Sequence, residues 1–166
     1  MTAFTLVTVA MLALGALAPS GRQNVHASSQ PGSEAAAIHQ WLDGYDAAFI
    51  AKDLDMLATY YHADVTIYEG GGINHGWADY RDRHLGPELK AFENLQFGHT
   101  ERKVHVLGDG SSAYVTSLYF IKAKLGERNI DSGGLETLVL AKDAAGAWKI
   151  RHSHTSARAR RPAGLP

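Results

Sequence analysis

The stretch Trp148-Lys149-Ile150-Arg151-His152-Ser153-His154-Thr155 carries two imidazoles one residue apart. Alternate residues of a strand share a face, so Trp148, Ile150, His152 and His154 are expected on one side and Lys149, Arg151, Ser153 and Thr155 on the other. A strand that begins with core residues and then aims two imidazoles inward describes a polar pocket at the end of a core. There imidazoles can transfer protons near neutral pH or offer nitrogen to a divalent metal. Glu136 adds a second signal, because alternation puts it on the face of Leu138 and Leu140. A carboxylate on an apolar face needs a cationic partner or a task in proton transfer.

Nine histidines and no cysteine leave imidazole and carboxylate as the reactive groups and exclude disulfides. The net charge of −1 argues against a nucleic-acid binder, which needs a broad basic face. Hydrophobic residues make up 45% of the chain and charged ones 20%, an ordinary globular composition. Glu69 to Gly72 reads as a turn, since neither a Lys-Ser/Thr pair nor an immediate helix follows as in a phosphate loop. Residues 157–166 read as a solvated basic tail.

The uncharged run Ala3 to Ala18, followed by small and polar residues, reads as an export signal over residues 1–27 with cleavage after Ala27. It is short for a membrane span, which needs about 20 residues. A periplasmic or secreted protein is therefore expected. Residues 28–33 read as a linker and 34–156 as one domain.

Within that domain, Ile38, Trp41, Leu42, Tyr45, Ala48 and Phe49 recur at helical spacing, with Ser33 as the expected N-cap. Asp53 is expected to cap a short second helix, and a strand follows that ends at Glu69 and three glycines. A third helix from Trp77 is expected to bend or restart at Gly86-Pro87, interrupting the pair His84 and Glu88. Four long strands follow, the first running from Phe97 to the Gly108-Asp109-Gly110 turn and the last closing the domain at Ser156. Helices first and strands later is an α+β order. Trp41, Tyr60, Tyr61 and Phe92 are expected in the core, and His62, His99 and His105 at surfaces or strand ends.

Tyr45 to Gly72, the Gly76-Trp77 pair and the closing Gly146 to Ser156 resemble the nuclear transport factor 2 superfamily, which includes ketosteroid isomerases and SnoaL-like cyclases. The resemblance implies a cone, a curved antiparallel sheet wrapped around a long N-terminal helix, and pairing into a homodimer through the open sheet. Registered against the ketosteroid isomerase pattern, the oxyanion-hole tyrosine falls on Tyr45, the general-base position on Glu69 and the second oxyanion-hole acid on Glu136. Both acids are glutamates here, one methylene longer than the pattern's aspartates.

In ketosteroid isomerase an apolar site keeps one carboxylic acid neutral so that it can donate a hydrogen bond. By the same logic the resemblance implies that Glu136 donates beside Tyr45 while Glu69 takes a proton next to a carbonyl, assisted by His152 and His154. No cofactor is required for such chemistry. One alternative is a ligand- or metal-binding protein whose His75, His84, His152 and His154 hold a divalent ion with carboxylate help. The other is an interaction module with a self-filled pocket.

Overall fold

The computed structural model describes residues 31–159. The expected export signal lies outside them, as do residues 160–166 of the expected tail. Helix α1 spans Pro31–Ala51 and α2 Leu54–Ala58, and strand β1 covers Tyr61–Glu69 and β2 Gly72–His75. Helix α3, Trp77–Tyr80, continues through a π-turn, Arg81–Leu85, into α4, Gly86–Ala91. Strands β3 (Glu93–Leu107), β4 (Ser112–Leu125), β5 (Arg128–Lys142) and β6 (Trp148–Ala159) complete the chain. The six strands form one sheet in the order β2-β1-β6-β5-β4-β3. Neighbours are antiparallel except β1 and β6, which run parallel.

Helix α1 lies across the inner face of this curved sheet and buries Ile38, Leu42, Tyr45, Ala48 and Phe49 against it. Their spacing makes one apolar stripe, which supplies the driving force for docking. Helix α1 begins at Pro31, so Ser33 lies inside its first turn rather than capping it. Asp53 does cap α2, accepting the Met56 N–H at 2.9 Å.

Glycine writes the first hairpin. Gly70 and Gly71, both at positive φ, form a two-residue turn that pairs Glu69 with Gly72. That geometry is the one a tight hairpin requires and side chains resist. The run through α3 and α4 is continuous rather than restarted. Pro87 has no N–H to give and its ring crowds the turn before it, so the chain widens to a π-turn. The Gly86 N–H then reaches the Arg81 carbonyl, five residues back.

Register shifts bend the sheet and change which residues face inward. In β3 they occur near Asn94 and Glu101, both at positive φ. In β6 one extra residue, Arg151, lies between the pairs Leu140–Ile150 and Val139–His152. Such a bulge inverts the alternation of everything after it. Strand β6 also pairs through Ala159, so residues 157–159 belong to the sheet and not to a tail.

Candidate active site

Inside the cone is a cavity of about 210 Å³. Tyr45 and Phe49 from α1 line it together with Tyr61 and Glu69 from β1, Tyr80, Leu85 and Glu88 from the α3–α4 run, and side chains from β3 to β6. Tyr45, Glu69 and Glu136, the three residues registered by resemblance, all line this one cavity.

His152 and His154 do not. The Arg151 bulge places Ser153, Thr155 and Ala157 inward and turns both imidazoles to the outer face. There His152 shares a hydrogen bond of 2.7 Å with the Thr66 hydroxyl, and the Tyr68 ring meets both imidazoles edge-on. His75 is exposed at the β1–β2 hairpin, and His84 stands beside the cavity. The four histidines do not converge. Among the described residues no cluster of three His, Asp or Glu side chains is arranged to hold a metal ion.

The imidazole that does sit at the base of the site is His99, buried in the cone and not at the surface or strand end expected for it. Its Nδ1 lies 2.6 Å from Asp46 Oδ1 and its Nε2 2.5 Å from Glu136 Oε2. Burial opposes its charge, but the hydrogen bonds it donates to both carboxylates prevail and lift its pKa to about 9. At neutral pH it is an imidazolium donating to both acids. Asp46 also receives Arg102 at 2.5 Å, and Arg102 reaches Asp43 at the same distance. Ser153 donates to Glu136 Oε1 at 3.0 Å. Glu136 thus accepts a hydrogen bond at each oxygen, where the isomerase analogy implies a donor.

The alternation Leu95, Phe97, His99 is the signal for this residue, since the first two are aromatic or aliphatic core candidates on the same face. Arg102 has no such signal. It turns inward because Glu101 sits in the bulge.

Donors line the rest of the cavity. The Tyr45 and Tyr61 hydroxyls are 2.7 Å apart. Burial, with neighbouring phenols and Glu136, pushes the Tyr45 pKa far up, and burial likewise raises those of Tyr61 and Tyr80. All three stay neutral and keep their protons for hydrogen bonding.

Glu69 is half-buried, accepts the Tyr80 hydroxyl at 3.4 Å, and has its pKa raised by burial against a smaller opposing pull from His84. His84 is oriented from behind. The Asn74 amide donates to Asp79, which leaves Asn74 Oδ1 to accept from His84 Nδ1 at 3.0 Å. Nε2 therefore faces Glu69 at 3.9 Å and Glu88 at 3.6 Å. The π-turn keeps His84 and Glu88 adjacent, contrary to the expected interruption. Glu88 in turn holds the His84 pKa above its ordinary value, against the opposing effect of burial.

A half-open α+β cone with acid, phenol and hydroxyl groups converging on one cavity is a ligand-binding, isomerase-type architecture. The SnoaL-like domain family matches residues 38–160, and the chain belongs to that family. Among solved structures, a candidate ketosteroid isomerase from Shewanella frigidimarina is 28% identical, with 74% of this chain and 94% of that chain covered at a TM-score of 0.62. A nuclear transport factor 2-like superfamily protein from Salmonella enterica is 18% identical over 82% of this chain and 99% of that one, at a TM-score of 0.70. The CaMKII hub of S. rosetta, 23% identical, matches 75% of this chain and 96% of its own at 0.61, a likeness of fold. No curated protein sequence matches the chain.

Proposed function

We propose that this protein catalyses proton transfer at carbon next to a carbonyl group, in the manner of an isomerase or cyclase. The observation that carries this reading is that Glu69, a carboxylate with a raised pKa, shares one cavity with the neutral hydroxyl pair of Tyr45 and Tyr61. A base whose pKa is moved toward neutrality is a better match for a weakly acidic C–H.

In this mechanism Glu69 removes the α-proton, and the electron pair of that C–H bond moves into the carbonyl to give an enolate. One phenol donates to the other, which leaves one O–H of the pair for the developing oxyanion. Protonated Glu69 then returns its proton at another carbon of the conjugated system. Glu136, with one oxygen engaged by His99 and the other by Ser153, orients Ser153 and is not the group that donates to the oxyanion.

The test is exchange in D₂O of the α-protons of a panel of cyclic and aryl ketones, followed by NMR. Exchange in the wild type that is lost in Glu69→Gln and weakened in Tyr45→Phe supports the reading. Ketones that bind without exchanging would make the protein a non-catalytic ligand carrier.

A second reading concerns the outer sheet face. Leu135, Val139, Tyr68 and Ile73 stand exposed there, an apolar set uncommon on a free surface. Homodimer formation through this face fits that exposure.

A further inference from the structure

Three carboxylates, Glu69, Glu88 and Glu136, line the cavity, and among the described residues no lysine or arginine does. The cations nearby are committed elsewhere. His99 lies behind Glu136 with both nitrogens engaged. Arg102 is bound to Asp43 and Asp46, and His84 faces two carboxylates at once. An anion entering this space meets like charges at short range and no free counter-charge, in surroundings that screen poorly.

Size sets a second limit. A dry cavity of about 150 Å³ accepts a benzene ring. The volume here, about 210 Å³, holds that ring with a few substituent atoms. Its walls suit a flat ring, because Phe49, Phe92, Phe97, Tyr119 and Ile121 give it an aromatic and apolar lining.

We infer that the ligand of this cavity is an uncharged single-ring compound carrying a carbonyl, and that Glu69 and Glu88 exclude its carboxylate analogues. This deepens the proposed function and rests on the same cavity, but it concerns binding and not turnover. The ring and carbonyl are held by aromatic walls and hydroxyl donors, while the two glutamates set the charge filter.

The experiment compares benzamide with benzoate, two planar probes of nearly equal size that differ in charge. Binding to the full-length protein is measured by ligand-observed NMR at pH 7.5. Benzamide is expected to bind at least tenfold more tightly than benzoate, and Glu88→Gln is expected to narrow that ratio. Glu88 is partly exposed, so this variant leaves packing intact, and Glu69→Gln provides a second arm. Benzoate binding as tightly as benzamide overturns the charge filter. Benzamide failing to bind at millimolar concentration overturns the size argument. Either result leaves the exchange experiment to judge the catalytic reading separately.

Discussion

His99 and Glu136 are joined at 2.5 Å, from strands β3 and β5 that are separated in the sheet by β4. The contact crosses the floor of the cone and fixes the Glu136 carboxylate beneath the cavity. Removing the imidazole leaves Asp46 and Glu136 buried with one counter-charge fewer. His99→Ala should therefore lose about 3 kcal/mol or more of stability in urea unfolding. The double variant His99→Leu with Glu136→Leu should recover much of that loss, because no unpaired charge then remains beside Ser153.

The same imidazole makes stability depend on alkaline pH. His99 titrates near 6.5 when unfolded and at about 9 when folded, so the folded state binds its proton more tightly. That contribution is fully present below pH 6.5 and is lost as pH rises through 9, on the order of 3 kcal/mol in all. The urea midpoint should fall across this window in the wild type and stay flatter in the His99→Leu, Glu136→Leu variant.

The acid limb of the exchange rate should report Glu69. Burial raises its pKa, while His84 and, more weakly, the Tyr80 hydroxyl pull it back. The limb should therefore lie above the ordinary carboxylate range, and Tyr80→Phe should move it further upward. A limb within the ordinary carboxylate range, or one that persists in Glu69→Gln, would assign the titrating base to another group.

Gly86 should reverse the usual rule for helix glycines. Glycine to alanine inside a helix ordinarily stabilises by about 1 kcal/mol. A Cβ on Gly86, however, would lie 2.5 Å from the Arg81 carbonyl oxygen. Gly86→Ala should destabilise by about 1–3 kcal/mol, as overpacking does, and should disturb the His84–Glu88 pair. Thermal melts with and without Pro87→Ala separate the π-turn from the proline.

Lysine at exposed apolar positions should break pairing of copies through the outer face. Leu135→Lys with Val139→Lys is expected to shift the protein to a monomer in analytical ultracentrifugation while benzamide binding persists. An unchanged sedimentation coefficient would remove this face from assembly.

Local chemistry was legible in the amino-acid sequence wherever one periodicity ran unbroken. The stripe from Ile38 to Phe49, the Asp53 cap, the Gly70-Gly71 turn and the alternation of Glu136 with Leu138 and Leu140 each depend on neighbours within a few residues. The likeness of Tyr45, Glu69 and Glu136 to a known pattern put all three in one cavity, and they line it.

What tertiary structure alone decided was the parity beyond each bulge. A single extra residue at Arg151 exchanged His152 and His154 for Ser153 and Thr155, and Glu101 turned Arg102 inward. An unpaired residue gives no periodic signal of its own, because it is set by how two distant strands register as the sheet curves. The partner of Glu136 was likewise beyond local reading, since it is His99, which lies 37 positions away in the chain.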